Sequence, residues 1–534
     1  MRFLYWALAF LSVAALTLSK IPAADTWWHL AAGREIWEQG RLLQHDPFSF
    51  TAGQAFWFNH EWLAEIGFYL TAKVGGLNAL YFLRTVLVFA AFAWIPLASH
   101  QNRGLFSALF PVLALYLGQA QVFLDARAYL ITYVGLSLTI YFVDRFLVDQ
   151  NRKWLWLGIA IVVPWANCHG AYLLGPVVWG IAFTSQLLQK SENWKPFLAT
   201  LLGSLLASLL NPYTYHIWLF PFSLWEHPVY KAHLNEWQRP ELLGSHAPYL
   251  ILVAITLVAL WKSKASGWHW LLSLSFLALG FLGWRHCTLA ALVACHTVTR
   301  CLPRPEDKLS ELERGTLMVV GIVASLFFVH KRWDKGPESW TLLHTHFPVQ
   351  AAQLLKESPE LPRRIINPYE WGGYLAWELG TSYQTYIDGR AHTLFPDQTY
   401  LDSLILQYGG TTKDVSYLQT RTREEILDDL GAELVLTTKL LGKQYQWMMK
   451  HSGQWALLFE DQNSALFLRR SPQLVEKISE RLKEPGKAVF YASRFQGTPM
   501  ELTLLKRAIE LAKSPQEREQ LEALLQSRIS AQDP

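Results

Sequence analysis

The chain has 534 residues, of which 51% are hydrophobic, 14% aromatic and only 17% charged, with a net charge of +4. That profile excludes a string of soluble domains and leaves a polytopic membrane protein with some soluble mass. A charge so small, carried by short connecting loops, gives nucleic-acid binding no support.

Met1-Arg2 precedes an apolar run from Phe3 to Leu18, which reads as an uncleaved first transmembrane helix starting in the cytoplasm. Further apolar segments lie near 78–98, 104–120, 128–147, 154–167, 171–188, 196–211, 247–261, 267–283, 287–301 and 315–331. With the first run they make about eleven spans, each approaching the ~20 residues that cross the hydrocarbon. The basic residues Arg103, Arg145, Arg152, Lys153, Lys190, Lys195, Lys262, Lys264 and Arg300 fall on one side, which the positive-inside rule makes cytoplasmic. The longer loops at 21–77 and 212–246 then lie outside, and an odd number of spans puts the tail there too. Cys168, Cys287, Cys295 and Cys301 lie in or beside apolar segments, without metal-ligand spacing or a disulfide framework.

The outer face collects the polar residues that chemistry would use. In the first loop these are Asp25, Trp28, His29, Asp46, His60 and Glu61. Arg127 follows the third span, His169 lies in a tight link, Glu236 in the second large loop, and Arg285 between two apolar runs. A carboxylate beside a membrane can act as general base for an acceptor hydroxyl or amine, or can hold a divalent cation such as Mg2+ or Mn2+. Arginines at the same depth can neutralise a phosphate through charge-assisted hydrogen bonds. Together these groups fit sugar transfer from a polyprenyl-phosphate donor, with Asp25, Asp46, Glu61 and His60 as catalytic candidates. Trp28, His29, Arg127, His169, Glu236 and Arg285 are the matching substrate-binding candidates. Against this stand structural readings: Asp25 as the cap of a helix from Thr26 to Gln39 ended by Gly40, Arg285 as a snorkelling anchor, and His169 as a packing histidine.

Past residue 332 the long apolar runs stop. Strands at 364–366, 385–387, 434–436, 455–460 and 465–469 alternate with helical stretches, so 333–470 reads as an extracytoplasmic α/β domain. Residues 471–534 form a helical tail, with patterns at 472–482 and 500–528. Glu370 reads either as an acceptor-binding group or as a helix cap. Asp388 and Arg390, in Ile387-Asp388-Gly389-Arg390, read either as a binding pair at a strand end or as an Asp-Gly turn whose Asp pairs with the Arg. No Gly-rich phosphate loop is present, which favours a lipid-linked donor over a nucleotide sugar.

Asp25-x-Trp27-Trp28-His29-Leu30, His45-Asp46-Pro47-Phe48-Ser49 and His60-Glu61-Trp62-Leu63 resemble a group of bacterial membrane proteins related to the GT-C glycosyltransferases. The similarity continues through Trp165-Ala166-Asn167-x-His169-Gly170, Asn211-Pro212-Tyr213, Glu236-Trp237-Gln238-x-Pro240 and Asn367-Pro368-Tyr369-Glu370-Trp371-Gly372-Gly373-Tyr374. It implies an α-helical, polytopic GT-C-like fold with the catalytic acid of the first outer loop at Asp25. Tyr369–Tyr374 is similar to an acceptor-binding motif of oligosaccharyltransferase catalytic subunits. Asp25 is followed by Thr26, a departure from the adjacent Asp-Glu of protein O-mannosyltransferases that leaves acceptor class and metal use open. The expected setting is a bacterial cytoplasmic membrane, with membrane lipid, a polyprenyl-phosphate sugar donor and a glycan, lipid or protein acceptor as partners. A transporter of polyprenyl-linked glycan and a non-catalytic binding or assembly protein are the alternatives.

Overall fold

A computed structural model describes residues 2–17, 23–52, 55–98, 105–301, 310–333, 346–410, 418, 420–440 and 443–532. The chain divides into two compact units, one of Met1–Gln44 with Trp57–Ser339, the other of His45–Phe56 with Trp340–Pro534. The change of composition near 332 falls against the end of helix Glu311–Trp333, and residues 334–345 lie outside the described residues.

The first unit is helical throughout. Its first-loop helix, Ala24–Gln39, carries Asp25 in its first turn, where a carboxylate complements the partial positive charge of the amide end. Ala23, not Asp25, holds the capping position, and no side chain caps it. Gly40 ends the helix at φ 63°, a left-handed conformation glycine adopts without strain. The next helix, Trp62–Phe89, starts well before the expected span at 78–98. It bends at Gly75 and Gly76, the latter at φ 64°, ψ −165°, a region essentially reserved for glycine. A π-turn at Ala90–Trp94 follows, and the Ser137 hydroxyl donates 2.7 Å to the Ala91 carbonyl there.

The later apolar segments appear as helices close to their expected limits: Leu105–Leu117, Tyr129–Asp149, Leu174–Leu188, Trp194–Ala207, Pro248–Lys262, Gly267–Gly280, His286–Cys301 and Glu311–Trp333. The segment near 154–167 breaks into Lys153–Ala160 and Val162–Ala166. Among the described residues four stretches are long and apolar enough to cross a membrane: Trp62–Ala98, Tyr129–Asp149, Gly170–Leu188 and Glu311–His330. Five others, from Phe3–Thr17 to Pro248–Lys262, are apolar but shorter. His286–Cys301 is almost wholly buried, as are Cys168, Cys287 and Cys295.

The second unit is built on a five-stranded sheet. In chain order its strands are β1 (Arg364–Ile366), β2 (Gln384–Thr385), β3 (Leu434–Thr438), β4 (Trp455–Glu460) and β5 (Ser464–Arg469), and in space they run β2-β1-β3-β5-β4. β1 pairs parallel with β2 and β3, whereas β5 is antiparallel to β3 and β4. Every residue of β3 is buried, as expected of a strand covered on both faces. The first-loop segment His45–Phe56 lies beside β2: Thr385 N–H donates to the Phe48 carbonyl at 2.8 Å and its own carbonyl accepts from Phe50 N–H at 3.1 Å. The tail holds four helices where the sequence marked two stretches. Pro472, Pro485, Pro499 and Pro515 each open one of them, the position where a missing N–H costs nothing.

Candidate functional site

Six polar positions meet at one end of the helical unit because the links between its helices carry them. Asp25 opens Ala24–Gln39, Glu61 directly precedes Trp62–Phe89, and Arg127 lies just before Tyr129–Asp149. His169 sits between Val162–Ala166 and Leu174–Leu188, Glu236 in the turn Asn235–Trp237, and Arg285 just before His286–Cys301. Two asparagines fasten the links. Asn167 donates to the Val163 and Leu210 carbonyls at 2.8 and 2.9 Å and accepts from the Trp62 indole at 3.0 Å. Asn211 donates to the Ala166 carbonyl at 2.8 Å.

The charged half is a ladder of alternating sign. Arg127 bridges Asp25 and Glu236, reaching the latter at 3.8 Å, and Arg285 pairs with the other oxygen of Glu236 at 3.1 Å. Backbone bonds align the last pair, from Arg285 N–H to the Glu236 carbonyl at 3.1 Å and from Trp284 N–H to the Gln238 carbonyl at 2.8 Å. The Arg285 guanidinium also lies over the Trp237 ring, 4.4 Å from its centre. These four side chains are only 20–28% exposed, so the pairs feel weaker screening than surface pairs do. Burial pushes the Glu236 carboxyl up, but Arg285 and Arg127 together outweigh it and leave its pKa below the usual value. Beside this ladder Arg84 faces Asp125 at 3.5 Å, and burial, only partly countered by Arg84, raises Asp125 to about 6.

The second half carries protons rather than fixed charge. Glu61 Oε1 lies 3.6 Å from His60 Nε2 and 3.7 Å from His169 Nε2, while its Oε2 is 3.8 Å from His29 Nδ1. Burial, reinforced by the neighbouring Glu65 and opposed by Arg285, holds the Glu61 carboxyl well above the ordinary carboxylate range. Burial lowers His29 to about 3 and His169 well below the ordinary imidazole value, the latter helped by His60 and the two arginines. A carboxyl tending to keep its proton thus stands beside two imidazoles, His29 and His169, that burial disposes to stay neutral. The Trp28 ring lies against His29, tilted by 36° with ring centres 3.8 Å apart. Glu65, 3.9 Å from His29 and bonded at 2.7 Å by Asn59, completes the group. The sequence hid it in an apolar run. Its signal was the spacing Glu61-x-x-x-Glu65, which puts both acids on one side of a helix start.

Four further candidates stand elsewhere, in the second unit. Asp46, expected among the catalytic acids, is buried there with Asp388 and Arg390. Arg390 donates to Asp46 at 2.5 Å and to Asp388 through two nitrogens at 2.5 and 2.9 Å. Asp46 also accepts the N–H groups of Phe48 and Ser49, both at 2.9 Å. Every charge in this triad is answered inside the protein, so the Asp-Gly turn paired with its arginine is what the structure contains. Glu370 is exposed on a single turn at Tyr369–Trp371. The neighbouring Asn367 ties Pro368, Ile387 and Tyr386 together by hydrogen bonds of 2.8–2.9 Å. Among the described residues no group of His, Cys, Asp and Glu is arranged to hold a metal ion. Asp25 and Glu236 are taken up by guanidiniums instead.

Helices bundled under polar links, followed by a unit with a small mixed sheet, define a helical membrane protein of GT-C-like fold. The chain is similar in structure to ArnT from Cupriavidus metallidurans bound to undecaprenyl phosphate, at TM-score 0.51 and 12% identity, over 87% of this chain and 97% of that one. It is also similar to the archaeal oligosaccharyltransferase AglB from Archaeoglobus fulgidus, in complex with an inhibitory peptide and a dolichol-phosphate, at TM-score 0.51 and 10% identity over 84% and 70% of the two chains. No protein-family description and no curated protein matches the sequence.

Proposed function

We propose that the protein is a membrane glycosyltransferase that moves a sugar from a polyprenyl-phosphate donor to an acceptor hydroxyl or amine. The observation that carries this reading is the ladder Asp25–Arg127–Glu236–Arg285 beside Glu61, at the linked ends of a GT-C-like helix bundle. Two guanidiniums already share one anionic group, Glu236, and the same pair can take a donor phosphate in a charge-assisted clamp. Asp25, paired with Arg127, is the base. The bond from the sugar's anomeric carbon to the phosphate oxygen breaks, and the lipid phosphate leaves with the electron pair. A bond from that carbon to the acceptor heteroatom forms, and the acceptor proton passes to the Asp25 carboxylate. The solved structures it resembles hold undecaprenyl phosphate and dolichol-phosphate, which supports a lipid-linked donor.

The site faces the extracytoplasmic side of a bacterial cytoplasmic membrane in this reading, with about eleven spans and the second unit on the same side. The distribution of Lys and Arg among the loops supports that orientation. The test is to incubate the purified full chain with a panel of polyprenyl-phosphate sugars and follow release of the lipid phosphate. Release by the parent and its loss in Asp25→Asn are expected. Binding of the lipids without release from any of them would leave a binding protein and end the transferase reading.

A further inference from the structure

Thr132 stands in the first turn of Tyr129–Asp149, inside an apolar run, and only 2% of it is exposed. Its hydroxyl receives the indole N–H of Trp165 at 2.9 Å, and an indole nitrogen can only donate. The hydroxyl proton is available to the other neighbour, His169 Nδ1, at 2.8 Å. The backbone N–H of Ala171 reaches the same nitrogen at 3.3 Å. Two donors converging on Nδ1 require a lone pair there, so the ring proton of His169 sits on Nε2. That nitrogen faces Glu61 Oε1 at 3.7 Å.

His60 is set the opposite way. Its Nδ1 faces the Phe58 carbonyl at 3.4 Å, an acceptor that asks for the proton on Nδ1. The Nε2 lone pair is therefore turned towards Glu61 Oε1, 3.6 Å away. One carboxyl oxygen thus stands between an N–H and a lone pair. Trp165 itself is seated by small neighbours, since a Cβ at Gly135 or Gly175 would press on its ring.

We propose that Thr132 and Trp165 are positioning residues of the transfer site, which fix His169 as the Nε2–H tautomer so that Glu61 can pass a proton towards His60 while the His169 N–H steadies the oxygen it leaves. The Glu61 Oε1–H bond breaks as the His60 Nε2–H bond forms, leaving imidazolium beside carboxylate, and the same proton returns to Oε1 to restore the starting pair. Separations of 3.6–3.7 Å close by a small shift or through one water, as catalytic hydrogen bonds commonly do when substrate binds. The effect on turnover rests on the transferase reading; the tautomer does not.

The experiment is solid-state NMR on the full chain in lipid nanodiscs, with 15N-labelled histidine and His169 assigned by its loss in His169→Gln. In the parent the His169 proton is expected on Nε2. Thr132→Val, which keeps shape but not the hydroxyl, and Trp165→Phe, which loses only the indole N–H, should move it wholly or partly to Nδ1. Thr132→Ser should restore the parent signal. In the lipid-phosphate release assay Thr132→Val should lower kcat roughly ten- to a hundredfold, the scale seen when the partner orienting a functional histidine is lost. KM should stay within about twofold, and Thr132→Ser should recover most of the rate. A parent signal with the proton on Nδ1 overturns the proposal, and so does an unchanged tautomer in Thr132→Val. A tautomer that moves while kcat holds overturns the positioning role. If no form turns over any donor, the transferase reading fails, and the nitrogen signals still decide whether Thr132 sets the tautomer.

Discussion

Asp25 and Arg127 form the contact on which the chemistry of single residues turns. Asp25→Asn removes the charge but keeps the shape, and since Ala23 holds the capping position the helix Ala24–Gln39 loses no cap. Release of lipid phosphate should fall by about 10²–10⁴, the usual cost of losing a general base, with the melting temperature little changed. A fully active Asp25→Asn would move the base to Glu61. For Arg285→Ala, the loss of a desolvating guanidinium should weaken binding of the polyprenyl phosphate by roughly 2–5 kcal/mol, and Arg285→Lys should recover only part because the fork is gone. Unaltered lipid-phosphate affinity in Arg285→Ala would make that residue an anchor. His29 gives a pH signature. Its folded pKa of about 3 lies below the ordinary imidazole value of 6.5, so the stability gained by keeping it neutral is complete above 6.5 and is lost as pH falls from there towards 3. The melting temperature of the parent should drop between pH 7.5 and 5, and His29→Gln should show a shallower drop. Equal slopes would mean that His29 is not held neutral by burial.

Among the elements, the first-loop segment His45–Phe56 behaves as part of the sheet unit. Its Phe48 and Phe50 backbone bonds to Thr385 lengthen the β2 edge, and the buried triad Asp46–Arg390–Asp388 locks it in place. A charge buried without its partner is costly, so Arg390→Met, which leaves two buried carboxylates facing each other, should destabilise this unit by about 3–5 kcal/mol. Limited proteolysis should then cut within 45–56 at protease levels that leave the parent intact. An identical cleavage pattern would mean that the triad does not hold the segment. The four proline-opened helices at the end of the chain show the converse, a local rule strong enough to place helix starts. Pro485 and Pro515 are the signals behind the two breaks that periodicity alone did not separate.

For the whole molecule, orientation is the property that the proposed function needs. Glu476 is exposed on Pro472–Arg481, and among the native cysteines Cys168, Cys287 and Cys295 are buried. Glu476→Cys should therefore react with an impermeant thiol reagent in intact spheroplasts, above the background of the parent. Labelling only after lysis would reverse the membrane orientation and put the second unit in the cytoplasm.

The sequence by itself determined the helical membrane architecture, because a long apolar run leaves its backbone no partner but its own helix. It also determined β1, β3, β4 and β5 to within a few residues, from alternation and turn residues, and it named most of the polar residues that meet at the bundle end. What only the tertiary structure decided was which of those residues share a neighbourhood. Asp46 and Glu61 lie fifteen positions apart in one loop, yet one answers Arg390 in the sheet unit and the other stands among His29, His60 and His169. Thr132 stayed silent because a single polar residue in an apolar run has no local signature; its meaning comes from a partner that packing brings in from another helix. The tautomer of His169 is the extreme case. It depends on an indole, a hydroxyl and a backbone amide supplied by three separate segments, and no local pattern encodes where their hydrogens converge.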